Sequence, residues 1–139
     1  MKNDISAIGN ALVDTVFKVE HSLISELGLE IDQMTLSSAE EHAPIIDRLI
    51  ASGAETVSDC GGSATNSLVA ASSFGAKCFH TCKVSDDQDG IRYLDSIKEA
   101  GIGHKGNMSS ASSIPSGKCL ILVTPDAKRT MSSMLGISA

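Results

Sequence analysis

Two adjacent glycines precede small polar residues near the centre of the chain, in the segment Gly61-Gly62-Ser63-Ala64-Thr65-Asn66. A strand-like run, residues 55–60, comes before this segment, and an apolar, helix-like run, residues 68–74, follows it. Glycines at such a junction let the backbone approach a ligand closely, and the start of the following helix offers unpaired N–H donors. The segment therefore predicts a loop that holds a polar small molecule, with a plain structural turn as the alternative.

A second polar cluster, Asn10 and Asp14, lies near the N-terminus. Residues 5–10 predict a first buried strand, and residues 12–19 predict another because apolar and polar residues alternate. A carboxylate among aliphatic residues must find partners or lie at a surface cleft. Asn donates and accepts hydrogen bonds whereas ionised Asp only accepts, so the pair suits the vicinal hydroxyls of a sugar. The alternative is a solvated Asp14 on the outer face of an exposed strand.

Composition narrows the class of protein. The chain has 139 residues, of which 42% are hydrophobic and 20% are charged, as expected for one ordinary soluble domain. A net charge of -6 with no run of Lys and Arg argues against a nucleic-acid partner. We find neither a secretory apolar segment nor a stretch long enough to span a bilayer, so we expect no membrane partner, a cytoplasmic protein and free cysteine thiols.

Two clusters have residue types that bind metals. Cys78, His80 and Cys82 alternate along a predicted strand, but neighbours two apart on a strand are about 7 Å apart and no fourth ligand is evident. Small soft side chains buried in a parallel sheet are the favoured interpretation. The acidic residues in 85–90 lack the twelve-residue calcium pattern and fit the capping of a helix over residues 90–100. We therefore predict no metal site in this chain.

The remaining pattern alternates helices and strands. Residues 21–27 predict a short helix, residues 31–36 a strand, and residues 77–84 another strand. Ser38 and Glu41 form a capping-box pattern before a helix that ends at Gly53, where Pro44 is expected to kink the helix or delay its start. His42 is expected to be solvated on the face opposite most of the apolar stripe. In the helix near residues 90–100, the buried face is assigned to Ile91, Leu94 and Ile97.

The C-terminal segment predicts a connection followed by a hairpin. Residues 102–116 are rich in Gly, Ser, Asn and Ala, which indicates a surface connection. Residues 119–124 and 129–135 predict two strands joined by a turn at Pro125-Asp126-Ala127. Together, the elements predict an α/β layered domain with a largely parallel sheet.

Several short motifs occur in order along the chain. They are Gly9-Asn10 with Asp14; the loop at residues 61–66 with Gly75 beyond its helix; Asp86-Asp87 with Gly90; Gly117-Lys118-Cys119; Thr124-Pro125-Asp126; and Arg129-Thr130-Met131. Together they resemble successive N-terminal blocks of the pfkB (ribokinase) family of carbohydrate kinases. The most similar branch is adenosine kinase with its bacterial sugar-kinase relatives. The resemblance covers nearly the whole chain.

This resemblance implies an ATP-dependent transfer of the γ-phosphoryl group to a primary hydroxyl of a sugar or nucleoside, such as adenosine or a ribose-like sugar. Mg²⁺ would offset the phosphate charge. The implied substrate-binding residues are Asn10, Asp14, Gln33, Gly61, Gly62, Ser63, Asn66, Cys119 and Arg129. Among them, Gln33, Cys119 and Arg129 have roles that vary across the family. The strands near residues 12–19, 32–37 and 118–135 would form a small β lid, which is also a candidate homodimer contact.

Family members are much longer, and their second half has a Gly-Ala-Gly-Asp block with the catalytic aspartate and most of the ATP site. This sequence has no such block. The resemblance therefore implies that residues 1–139 are the N-terminal portion of a ribokinase-like domain with an incomplete C-terminal half and no catalytic residue. Two alternatives stay open: a non-catalytic module that binds a sugar or nucleoside, and a subunit that needs a separate C-terminal chain.

Overall fold

The computed structural model describes residues 2–109 and 113–139, and helices and strands alternate between residues 12 and 109. The helices in this part of the chain are α1 (His21–Glu26), α2 (Ala39–Ala51), α3 (Ser63–Ser73) and α4 (Gln88–Glu99). The strands are β1 (Ile5–Ile8), β2 (Leu12–Lys18), β3 (Met34–Leu36), β4 (Thr56–Gly61), β5 (Cys78–Ser85), β6 (Gly103–Ser109), β7 (Gly117–Val123) and β8 (Arg129–Met134). A short 3-10 helix, Gly136–Ser138, follows β8. This architecture confirms the predicted α/β class.

The chain divides into two compact units. The first contains the described parts of Met1–Val13, Asp59–Gly117 and Leu135–Ala139, and the second contains Asp14–Ser58 and Lys118–Met134. The chain passes from one unit to the other four times: within β2, within β4, within β7 and after β8. Each unit has its own cluster of buried apolar side chains.

The first unit is organised around a parallel sheet with the order β1-β5-β6. Helix α3 packs on β1 and β5, and helix α4 packs on β5 and β6. Its core comprises Ala11, Val13, Leu68, Cys78, Cys82, Val84, Tyr93, Ile97 and Ile102. Cys78, His80 and Cys82 are all buried, which confirms the interpretation of small soft side chains inside a parallel sheet.

Two sequence predictions fail in this unit, and a third is correct only in part. Residues 102–116, predicted to be a surface connection, contain the strand β6. This strand pairs with β5 through backbone hydrogen bonds, with Gly103 opposite Phe79, and therefore forms without an apolar sequence pattern. The first strand is not buried, since Ile8 is 85% exposed and, among the described residues, β1 has a neighbouring strand on one side only. On α4, Ile97 is buried and Leu94 packs against the core, as predicted, but Ile91 is 49% exposed and the buried Tyr93 was not predicted.

The second unit contains a sheet with the order β3-β8-β7-β2-β4. Strands β7 and β8 form the predicted hairpin, with antiparallel pairing, and β3 pairs with β8 in parallel. Strand β3 begins at Met34, later than predicted, because Asp32 has a positive φ of 65° and turns the chain before it. The core comprises Phe17, Val19, Ile24, Ile45, Leu49, Leu120 and Leu122.

Helix α2 begins with the predicted capping box. The Ser38 hydroxyl accepts from the Glu41 amide at 3.2 Å, and the Glu41 carboxylate accepts from the Ser38 amide at 2.8 Å. The helix already starts at Ala39, so Pro44 does not delay it. His42 is only 1% exposed, which contradicts the prediction of a solvated residue. Its spacing of three and seven residues from Ile45 and Leu49 places it on the same helical stripe.

Helix α4 begins with the predicted acidic cap. One Asp87 carboxylate oxygen accepts from the Gly90 amide and the other from the Ser116 amide, each at 2.8 Å. This carboxylate therefore fixes both the helix start and the segment before β7. Among the described residues, no helix has the length and apolar character needed to cross a bilayer.

Candidate functional site

The nine predicted substrate residues fall into two sets, one in each unit. The first unit contains Asn10, Gly61, Gly62, Ser63 and Asn66, and the second contains Asp14, Gln33, Cys119 and Arg129. Within each set, the elements that contain the residues are neighbours in the fold.

In the first unit, the turn after β1 packs directly against the start of α3. A Cβ atom added to Gly62 would lie 2.5 Å from the backbone oxygen of Asn10. A Cβ atom added to Gly9 would lie 2.7 Å from the Cβ of Ala64. Both distances are too short for real side chains, so each glycine is required for this close approach. The sequence prediction that the diglycine segment and Asn10 belong to one site is consistent with this contact.

The same junction presents polar groups on the surface. Gly62 is the N-cap of α3 with φ 99°, a conformation that suits glycine, and it provides no side chain to cap the helix. Asn10, Ser63 and Asn66 are exposed, whereas Gly61 is buried. The helix start thus combines backbone N–H donors, the positive end of a helix dipole and neighbouring amide and hydroxyl side chains. Such a set can hydrogen-bond a ligand that has hydroxyl groups.

In the second unit, Asp14 and Cys119 lie on the neighbouring strands β2 and β7, and Arg129 begins β8. The Cys119 thiol is buried and accepts a hydrogen bond from the Ser133 hydroxyl at 3.2 Å. Burial is the largest influence on Cys119 and raises the pKa of its thiol above the ordinary value. The negative charge of Asp14 also raises this pKa, whereas the Ser133 hydrogen bond and the positive charge of Arg129 lower it. The thiol is therefore neutral at physiological pH.

Gln33 lies beside the same hairpin. Its backbone oxygen accepts from the Met131 amide at 2.8 Å, and the preceding Asp32 amide donates to the Thr130 hydroxyl at 3.0 Å. The Gln33 side chain is exposed. These bonds fix the segment before β3 against β8, the strand that begins at Arg129.

Two clefts of the second unit lie apart from the predicted residues. One encloses about 630 Å³ and is lined in part by Leu23, Glu26 and Arg48. The other encloses about 500 Å³ and is lined in part by Leu29, Ile45 and Arg48. None of the nine predicted residues lines either cleft. Cleft volume and residue chemistry thus indicate different places. The proposal below uses the place indicated by residue chemistry, the junction of the turn at Asn10 with the start of α3, because two glycine-dependent contacts form it.

The described residues provide no metal centre. In the described part of the chain, no group of three or more His, Cys, Asp or Glu side chains is arranged to hold a metal ion. Asp86 and Asp87 are at a helix start, where Asp87 accepts backbone hydrogen bonds.

Three buried polar residues beneath the diglycine turn were absent from the predicted site. Thr65 is hydrogen-bonded to both His80 and Tyr93, and each of the three residues is at most 1% exposed. The available sequence signals were a threonine inside the diglycine segment and the spacing of Tyr93 and Ile97 on α4. Neither signal reveals the pairing, because residues far apart in sequence form it.

Comparison with known proteins identifies the family. Residues 29–139 match the model of the pfkB family carbohydrate kinases. The chain resembles a probable sugar kinase from Rhizobium etli CFN 42, with a TM-score of 0.86 and 24% identity over 98% of this chain and 40% of that one. It is also similar to adenosine kinase from Sinorhizobium meliloti, with a TM-score of 0.80 and 30% identity over 99% and 41%.

A third structure, Anopheles gambiae adenosine kinase in complex with P1,P4-di(adenosine-5) tetraphosphate, has a TM-score of 0.82 and 25% identity over 96% of this chain and 41% of that one. A comparison with curated proteins gives no match. The chain spans about 40% of the length of the solved structures that it resembles. The family match covers most of the chain and the fold agrees throughout, so this chain belongs to the pfkB family of carbohydrate kinases.

Proposed function

We propose that this chain provides the sugar- or nucleoside-binding part of a kinase that phosphorylates a primary hydroxyl of its substrate. The substrate class is adenosine or a ribose-like sugar. Family membership supports the kinase assignment, and the names of two similar structures, both adenosine kinases, support a nucleoside. The transfer itself belongs to the whole enzyme, because this sequence has no Gly-Ala-Gly-Asp block.

The observation that carries the proposal is the contact between Gly62 and the backbone oxygen of Asn10. It joins two turns that both have exposed polar side chains, at the start of a helix with no capping side chain. Asn10, Ser63 and Asn66 offer amide and hydroxyl groups that match the donor and acceptor pattern of vicinal hydroxyls. In this proposal, Gly61 and Gly62 provide backbone surface close to the substrate.

The second set has a supporting role in the proposal. Asp14 would accept hydrogen bonds from substrate hydroxyls, since an ionised carboxylate is an acceptor only. Gln33, Cys119 and Arg129 are proposed as further substrate contacts, and their common position around β7 and β8 supports this grouping. The strands near residues 12–19, 32–37 and 118–135 are proposed as the lid, whose closure would exclude water from the reacting groups. A homodimer through these strands and a cytoplasmic location stay predictions.

ATP and Mg²⁺ are the proposed co-substrate and cofactor of the whole enzyme. The described residues include no cluster of three or more His, Cys, Asp or Glu side chains that could hold a metal ion, and the resemblance implies that most of the ATP site lies in the second half of the family members, so we assign neither group to a position in this chain. Bound Mg²⁺ would neutralise phosphate charge during the transfer. The contribution of this chain is to bind and orient the hydroxyl-bearing substrate.

A calorimetric titration of the 139-residue chain with adenosine and with D-ribose tests the proposal. We expect one of the two to bind, and we expect Asn10→Ala to weaken that binding about tenfold, because a hydrogen-bonding side chain is removed. Asn3→Ala is the matched control, since Asn3 is also an exposed asparagine near β1. Absence of binding by a folded chain, or equal losses in the two variants, would overturn the proposal.

A further inference from the structure

A chain of buried hydrogen bonds runs beneath the two turns of the first unit. The Tyr93 hydroxyl lies 2.7 Å from the Thr65 hydroxyl, and the Thr65 hydroxyl lies 3.5 Å from Nε2 of His80. Nδ1 of His80 lies 3.4 Å from the backbone oxygen of Ala7. The relay, as we name these four groups, starts on α4 and ends on the backbone of β1.

The donor and acceptor roles follow from the end of the relay. A backbone carbonyl can only accept, so Nδ1 of His80 donates to Ala7. In a neutral imidazole, Nε2 is then the acceptor and receives the Thr65 proton. The Thr65 oxygen in turn accepts from Tyr93. Tyr93 has one assigned bond along the relay and Thr65 and His80 have two each, as expected for polar side chains that are fully buried.

The relay connects the two segments that contain the first set of predicted substrate residues. Ala7 comes shortly before Asn10, and Thr65 belongs to the first turn of α3. The Thr65 hydroxyl also lies 3.6 Å from the position that a Cβ of Gly62 would occupy. A rotation of the Thr65 side chain would therefore disturb both the helix start and the turn that packs against it.

We propose that Tyr93 and His80 are positioning residues that hold the turn at Asn10 and the diglycine turn in register for substrate binding. This inference rests on the proposed function, because it assigns a purpose to the geometry of that site. If Tyr93 only fills space, Tyr93→Phe should leave the two turns unchanged, because phenylalanine occupies nearly the same volume. If the relay positions the turns, Tyr93→Phe should loosen them, because phenylalanine donates no proton to Thr65.

The environment of the relay keeps it in one protonation state. Burial lowers the pKa of His80 and raises the pKa of Tyr93. The other titratable groups that act on the relay are Cys82 on β5, Cys60 on β4 and His104 on β6. Protonation of His80 would turn Nε2 into a donor and leave a buried hydroxyl proton without an acceptor. The register of the two turns should therefore loosen at acidic pH.

Amide hydrogen exchange on the 139-residue chain, measured by NMR, tests the proposal without any ligand. The informative amides are Gly9, which donates to Thr81, and Asn66, which donates to Gly62. We expect Tyr93→Phe to speed their exchange about tenfold relative to the amide of Met131 in the other unit.

Three further variants make the test specific. Thr65→Val should reproduce the effect of Tyr93→Phe, and Thr65→Ser should restore slow exchange because it keeps the hydroxyl. Ile97→Val is the matched control, since Ile97 is fully buried in the same core and has no polar group. It should leave the ratio of exchange rates between these amides and Met131 unchanged.

Titrations of the same variants with adenosine and with D-ribose distinguish the positioning role of the relay from the proposed function of the chain. Faster exchange in Tyr93→Phe with no ligand binding by the parent chain would support the positioning role and overturn the proposed function. Ligand binding by the parent chain with parental exchange and affinity in both Tyr93→Phe and Thr65→Val would overturn the positioning role alone. Equal effects of Thr65→Ser and Thr65→Val would also overturn it.

Discussion

Gly62 faces the backbone oxygen of Asn10 so closely that a Cβ atom at Gly62 would lie 2.5 Å from that oxygen. This relationship joins the turn after β1 to the start of α3 within the first unit. It depends on the absence of a side chain and on a positive φ of 99°. The close contact between these two turns therefore depends on a residue that has no side chain.

We predict that Gly62→Ala destabilises the chain by about 2–4 kcal/mol, because it adds both backbone strain and a collision with Asn10. Gly75→Ala is the matched control, since Gly75 also has a positive φ, 92°, but has open space around it. Urea unfolding measures both variants. Equal losses of stability would show that the close approach to Asn10 contributes nothing.

A second prediction concerns the Asp87 carboxylate, which accepts from the amides of Gly90 and Ser116. Asp87→Ala should lower the free energy of unfolding by about 2–3 kcal/mol, because two backbone donors lose a charged acceptor. The neighbouring Asp86→Ala should have little effect, since Asp86 is exposed. Thermal unfolding compares the two variants, and similar losses would argue against the capping role.

His42 provides a prediction about pH. Its Nε2 lies 3.1 Å from the backbone oxygen of Ser132, and burial lowers its pKa below the ordinary value of 6.5. A lowered histidine pKa means that folding favours the neutral form, so its stabilisation is present above pH 6.5 and is lost as the pH falls through the folded-state pKa.

Urea unfolding at several pH values between about 7.5 and 5 measures this effect. The parent chain should lose stability across that window. His42→Gln keeps a side-chain donor for Ser132 but does not titrate, so its loss should be smaller. The pH dependence that remains in His42→Gln would include a contribution from His80, because burial lowers the pKa of His80 as well. Identical slopes in the parent chain and in His42→Gln would contradict this assignment.

We also predict that the 139-residue chain alone transfers no phosphoryl group. The sequence has no Gly-Ala-Gly-Asp block, and its described residues include no cluster of three or more His, Cys, Asp or Glu side chains that could hold a metal ion. Radiolabelled ATP with Mg²⁺ and adenosine, or with D-ribose, is the assay, with Sinorhizobium meliloti adenosine kinase as a positive control. A labelled phosphate ester formed by the purified chain would refute this prediction.

Local signals in the sequence correctly predicted several features. The Ser38 and Glu41 capping box is a contact between residues three apart, and the hairpin of β7 and β8 closes through one short turn. The diglycine turn was also recognisable, because glycine itself marks the places where the backbone needs freedom or space. These features are fixed by residues that are close together in the chain.

The features that sequence analysis missed depend on distant partners. His42 is buried because it reaches Ser132, and β6 forms because its backbone pairs with β5 despite a polar, glycine-containing sequence. The exposure of Ile8 follows from the position of β1 in its sheet. Hydrophobic periodicity reports the local environment of a residue, so it does not reveal pairings of this kind.

The most direct test of the account is a titration of the ¹⁵N-labelled chain with adenosine and with D-ribose, followed through its amide NMR signals. The account predicts that the signals of Asn10, Gly62 and Asn66 shift together and saturate with one of these ligands. Saturable shifts confined to the cleft near Leu23, Glu26 and Arg48, or no saturable shifts with a folded chain, would contradict it.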